Sequence, residues 1–117
     1  MDVYGHDHAE ISTDLAPVQL ATAQAVPCGL ILNELISNAV RHAAPEGGKA
    51  HILVRVRTAG SSVVELTVSD DGPGLTAAHR AGLGLQLVTG LVESQLDGTH
   101  ETKSGPGLRH VIRFTAR

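Results

Sequence analysis

Apolar residues recur along this chain at two spacings, and the switches between them predict the order of its elements. Ile11, Thr13 and Leu15 alternate with polar neighbours and predict a short strand, and residues 18–20 predict another. Residues 1–9 are polar, rich in His and Asp, and show no period. From 22 to 44 the spacing becomes helical, with Leu32, Leu35, Ile36, Ala39 and Ala43 on one face. Pro27 lies inside that stretch, so the expectation is a kink or a separate first piece. Pro45-Glu46-Gly47-Gly48 then supplies loop chemistry.

Two alternating stretches follow. In 49–57, Ile52, Val54 and Val56 share one side and Arg55 and Arg57 the other; in 63–69, Val64, Leu66 and Val68 share a side. Gly60-Ser61-Ser62 between them predicts a hairpin turn. Residues 70–84 are Gly-rich, and a second helix is expected over 85–96 with Leu87, Val88, Leu91 and Val92 buried. Asp97-Gly98 ends it, and closing strands fit 99–103 and 108–116. This order predicts an α+β, two-layer α/β sandwich: a mixed, mainly antiparallel sheet with helices on one face. The expected division is a flexible segment over 1–9 and a single domain over 10–117.

Composition narrows the function. A length of 117 residues fits one modest core. Only Tyr4 and Phe114 are aromatic, so aliphatic side chains must fill it. A net charge of −3 argues against a general nucleic-acid binder. No apolar run approaches the length of a membrane span and no signal peptide is visible, so a cytoplasmic domain is expected. Cys28 sits among apolar helix residues and reads as an inert buried thiol.

Three stretches carry candidate chemistry. Glu34, Asn38, Arg41 and His42 fall within one arc of the long helix, roughly opposite its apolar stripe. An Asn carbonyl is a hard oxygen suited to Mg²⁺, a Glu one turn earlier can polarise a nucleophile, and an Arg one turn later can hold phosphate. The same four residues also fit an ordinary solvated face. Asp70 continues the inward parity of Val64, Leu66 and Val68, and Gly72 and Gly74 follow it, allowing close approach of a flat group offering an N–H. A tight turn capped by Asp70 is the plain alternative; Asp71 reads as its solvated neighbour. Gly82-Leu83-Gly84-Leu85 opens the second helix, where exposed N–H groups and the helix dipole favour an anion; an ordinary loop is the plain alternative.

The order Glu34-x-x-x-Asn38, Asp70-x-Gly72-x-Gly74, Gly82-x-Gly84 resembles the asparagine box and two glycine boxes of the ATPase superfamily of gyrase, heat-shock chaperones, mismatch-repair proteins and histidine kinases. Within it, GLILNELISNAVRHA over 29–43 and GLGLQLV over 82–88 look most like sensor histidine kinases of the HWE-related subfamily. The resemblance covers about 11–114 and implies the Bergerat fold, with ATP and Mg²⁺ as cofactors. It implies Asn38 as the Mg²⁺ ligand and Asp70 as acceptor of the adenine amine, with Gly72 and Gly74 shaping that pocket. Gly82, Leu83, Gly84 and Leu85 would line the phosphate side. Glu34 would help activate an accepting histidine. Arg41 replaces a commoner Lys as phosphate contact, and His42 fills the adjoining position.

The resemblance further implies a histidine acceptor on a separate helical phosphoacceptor and dimerisation domain, with a response regulator downstream. Rival readings are a stand-alone serine kinase of the anti-sigma-factor type and a nucleotide-binding module that transfers nothing. Two departures stand out. The segment 75–81 is short for an ATP lid, with Arg80 its one strong phosphate-binding candidate. Gly105-Pro106-Gly107-Leu108 places Leu where the family often has Thr. His6-Asp7-His8 reads as a polar terminus rather than a metal site, lacking a third ligand at metal spacing. His51, His79, His100 and His110 share no spacing pattern, which predicts surface or structural roles.

Overall fold

The computed structural model describes residues 3–5, 9–42, 49–60, 62–72, 85–104 and 107–117. Its strands are β1 (Val3–Gly5), β2 (Ala9–Leu15), β3 (Ala50–Ala59), β4 (Val63–Asp70), β5 (Thr99–Ser104) and β6 (Leu108–Thr115). The helices are α1 (Thr22–His42) and α2 (Leu85–Leu91), the latter continued by a π-helical turn over Val92–Leu96. They form one six-stranded sheet in the order β1-β2-β3-β4-β6-β5, in which only β2 and β3 run parallel among the described residues. α1 packs on β3, β4, α2 and the π turn, which itself reaches β5 and β6. The expected α+β two-layer sandwich, mixed and mainly antiparallel, is the fold observed. Among the described residues no helix is long and apolar enough to cross a membrane.

Strand parity sorts the two faces of the sheet. Ile52, Val54, Val64, Leu66, Val68, Ile112 and Phe114 are buried on the helix side. The open side is polar and laced with ion pairs: Asp14 meets Arg55 Nε at 3.3 Å and Arg57 at 3.0 Å, and Glu65 meets Arg113 at 2.7 Å. Arg55 Nε is fully covered, and its pairing with Asp14 lacks hydrogen-bond geometry. Exposed pairs of this kind stabilise weakly, so the fold rests on the buried side.

Several elements differ from the pattern. Val3–Gly5 is a strand paired antiparallel with β2, although residues 1–9 show no period. Residues 18–20 are not a strand. After β2, Ala16 donates to Val56 O at 2.9 Å, and Pro17, having no N–H, cannot extend the ladder. Pro27 lies inside one continuous α1 rather than between two pieces. In α2 and the π turn the buried residues are Val88, Val92 and Leu96, spaced by four, while Leu87 is exposed.

The most consequential difference is the rotational phase of α1. The buried residues are Gln24, Pro27, Cys28, Ile31, Leu35, Asn38 and Ala39, with Leu32 and Ile36 only partly covered. At about 100° per residue these residues span an arc of about 120° that includes Ile31. The expected stripe centred on Leu32 and Ile36 is therefore rotated, because α1 contacts the second helix as well as the sheet. Val26 and Leu30 face outward. Gln24 is fully buried yet satisfied: Nε2 donates to Thr115 O at 2.9 Å, and Oε1 accepts from Arg117 N at 2.9 Å.

This phase predicts unequal responses to neighbouring truncations. Ile31→Ala should lower unfolding free energy by about 2–5 kcal/mol, the usual cost of deleting a buried aliphatic side chain. Leu30→Ala should stay within about 0.5 kcal/mol. Urea denaturation followed by circular dichroism measures both, and equal losses would contradict the assigned face.

Candidate functional site

Asp70 ends β4 in register with Ile52 and is half buried. Its Oδ1 accepts the N–H of Gly72 at 2.9 Å and that of Leu108 at 3.3 Å. The carboxylate is thus fixed by its own turn and by the start of β6. Both recorded bonds fall on Oδ1; among the described residues Oδ2 accepts none. Gly107 allows this approach, since a Cβ there would lie 1.9 Å from Asp70 O. Asp70 borders two clefts, one of about 340 Å³ toward Lys103 and Arg109, the other of about 420 Å³ toward Ser12 and His51.

Asp71 is exposed, as its parity predicts, but it is not merely solvated. Oδ1 accepts His51 N–H at 3.0 Å and Oδ2 meets His51 Nδ1 at 2.8 Å. Slight desolvation raises its pKa, yet the bonds and charge of His51 outweigh this and hold the carboxyl below the ordinary Asp value. His51 therefore braces the turn that follows Asp70.

On α1 the polar group lies beside the buried face rather than opposite it. Asn38 is buried, Glu34 is half buried, and Arg41 is exposed. Arg41 Nη2 donates to Asn38 Oδ1, so the carboxamide oxygen is turned toward the exposed rim of the helix. Sequence reasoning put Asn38 on the open face; the rotated phase of α1 buries it, with its oxygen aimed outward. His42 closes α1, and its side chain lies outside the described residues. Gly74, Arg80, Gly82, Leu83 and Gly84 also lie outside them, as do His6, His8 and His79. Gly72 and Leu85 are described, the latter as the half-buried first residue of α2.

One pair of residues escaped the spacing analysis. Cys28 behaves as expected, with burial raising its thiol pKa to about 11. His100 and His110, however, are neighbours. His100 Nε2 lies 3.0 Å from His110 Nδ1, and Thr89 Oγ1 lies 3.1 Å from His100 Nδ1. Burial first, then the charge of His100, lowers the pKa of His110 to about 4; burial alone lowers that of His100. Only the β5–β6 register reveals the pair, because His100 stands opposite Ile112, diagonal to His110 on one face.

The sequence model for the histidine kinase-, DNA gyrase B- and HSP90-like ATPases matches residues 23–117, and the chain belongs to that family. It is an ATP-binding domain with the fold of histidine kinase catalytic domains. The blue-light activated histidine kinase EL346 of Erythrobacter litoralis superposes with a TM-score of 0.84 at 22% identity, over 96% of this chain and 36% of that one. Its histidine kinase domain gives the same score and identity, over 96% and 54%. The mycobacterial sensor histidine kinase MprB aligns with a TM-score of 0.73 at 21% identity, over 92% and 81%. The chain thus spans about a third of the light-activated kinase and about half of its kinase domain. No curated protein matches the sequence.

The His51 brace has a measurable sign. A carboxyl with a depressed folded-state pKa adds stability above its unfolded value, and this is lost as pH falls through the folded one. The Asp71 carboxyl should titrate below the ordinary Asp value in carbon-detected NMR. His51→Gln should move that midpoint upward; an unchanged midpoint would remove His51 as its cause.

Proposed function

We propose that residues 10–117 are the catalytic domain of a cytoplasmic two-component sensor histidine kinase. In this reading the domain binds Mg-ATP and donates the γ-phosphoryl group to a histidine on a separate phosphoacceptor and dimerisation domain, with a response regulator downstream. The carrying observation is the fixed Asp70 carboxylate: Oδ1 is held by two backbone N–H groups, and Oδ2 remains as an acceptor. Such an acceptor suits the exocyclic amine of adenine and fits membership of the ATPase family.

The α1 rim fits the phosphate end. Asn38 offers a hard oxygen of the kind Mg²⁺ takes, already facing the cationic Arg41. In this reading Asn38 holds the metal, which when bound neutralises phosphate charge. Arg41 contacts phosphate, with His42 beside it. Glu34, one turn earlier, orients the accepting imidazole and draws its proton as the P–N bond forms and the P–O bond to ADP breaks. Gly72 and Gly74 shape the adenine side, while Arg80, Gly82, Leu83, Gly84 and Leu85 border the phosphates.

Asp70→Asn tests the adenine contact cleanly. The Asn oxygen can keep both backbone bonds, which turns its NH₂ toward the adenine amine and sets donor against donor. ATP affinity measured by calorimetry should fall by about 1.5–3 kcal/mol, the scale of a charge-assisted hydrogen bond. Unchanged affinity in a folded variant would falsify the assignment. Asn38→Ala should weaken Mg-ATP far more than metal-free ATP, whereas Glu34→Gln should leave Mg-ATP binding nearly intact and depress transfer.

Radiolabelled ATP distinguishes the transfer chemistries. The chain alone should hydrolyse ATP slowly and acquire no acid-labile phosphohistidine, because positioning supplies much of the rate. A matching helical acceptor domain should become labelled on histidine. Label on serine of a small partner would identify the anti-sigma type instead, and binding without transfer a regulatory module.

A further inference from the structure

The closing hairpin places three donor atoms at one point on the helix-facing side of the sheet. Thr102 stands opposite His110 in the β5–β6 register, and His100 lies two residues before Thr102 on the same face of β5. His100 Nε2 and His110 Nδ1 are 3.0 Å apart, with Thr102 Oγ1 3.4 Å from the first and 3.3 Å from the second. The two rings are tilted by 36° with centroids 5.3 Å apart, so they are not stacked in parallel. Without an ion, the arrangement is a hydrogen-bond triangle.

Those three separations are also those of one face of a tetrahedral metal site. With metal–nitrogen bonds of about 2.0–2.1 Å, tetrahedral donors sit about 3.3 Å apart. A metal there needs lone pairs on His100 Nε2 and His110 Nδ1, which puts the His100 proton on Nδ1. Thr89 Oγ1 lies 3.1 Å from that nitrogen and can accept a hydrogen bond from its N–H. This is the outer partner that a metal-bound imidazole uses to fix its tautomer.

We propose that His100, His110 and Thr102 form a binding site for a divalent transition ion of the zinc class, with a fourth position left to water. Imidazole donors favour Zn²⁺, Cu²⁺ or Ni²⁺, whereas Mg²⁺ prefers oxygen ligands and water. The site is separate from Asn38 and independent of its role toward Mg²⁺. Among the described residues no three His, Cys, Asp or Glu side chains gather as a metal site. This one is instead built on two imidazoles and a hydroxyl. An ion held there ties the edge strand β5 to β6 and, through Thr89, to α2.

The test is calorimetry of Zn²⁺ into the EDTA-treated 117-residue protein, alongside imidazole ¹⁵N NMR. One Zn²⁺ should bind per chain, moving the His100 Nε2 and His110 Nδ1 resonances, and Mg²⁺ at the same concentration should move neither. Thr89→Val should weaken binding by about 10–100-fold, the usual loss for an outer partner of a ligating histidine. His100→Gln should weaken it further, with circular dichroism confirming the fold. Since His110 is buried and its variant can unfold, His100→Gln and Thr89→Val carry the result. Zn²⁺ affinity that survives His100→Gln but disappears in a His6→Gln, His8→Gln double variant would overturn the site. So would the absence of Zn²⁺ binding to the wild-type protein.

Discussion

Everything in this fold depends on how α1 lies on the sheet. One helix must bury Ile31 and Leu35 against the aliphatic face formed by Ile52, Val54, Leu66 and Val68, and also present a carboxamide at the edge of that contact. The two demands are met by a single rotation. Burying an unpaired carboxamide is costly, and the Asn38 oxygen is paired at the rim with Arg41. Rotating the helix one way would drive Glu34 into the core; the other way would withdraw Asn38 from it. The phase of the hydrophobic contact thereby fixes the polar constellation.

Much of this was legible in sequence and some was not. The hairpin of β3 and β4 and the last strand β6 follow from alternation, because each has one dry face. The motifs at Glu34, Asn38, Asp70 and Gly72 could be placed on their elements in the same way. The phase of α1 was not legible. Leu32 and Ile36 are as apolar as Ile31, and only packing against both a sheet and a second helix decides which of them is covered. Gln24 gave no local signal, since its partners Thr115 and Arg117 lie more than ninety positions away. The His100–His110 pair was equally hidden, because it exists only in the register of two strands.

The two ends of the proposed site are held by different means. Asp70 is fixed by backbone N–H groups from its own turn and from the start of β6, with Gly107 pressed against it. That end is preorganised by main chain, which side-chain changes elsewhere disturb little. The Asn38 end depends on side chains, and its geometry is set by helix packing. One end is therefore a rigid acceptor and the other an adjustable one.

The parallel pairing of β2 with β3 carries a kinetic consequence. β3 and β4 are antiparallel neighbours close in sequence, ending at Ala59 and starting at Val63, so their ladder can close early and locally. β2 finds β3 only after the chain has passed through α1, because parallel neighbours need a crossover. The ordering entropy of that long connection must be met before the first parallel hydrogen bond forms, which raises the folding barrier. β4 and β6 likewise pair only across the long connection 71–107, so the local β3–β4 and β5–β6 hairpins each wait on a distant closure. A nascent chain that has made β2 but not yet β3 carries an unpaired edge, open to the wrong partner until the crossover is complete.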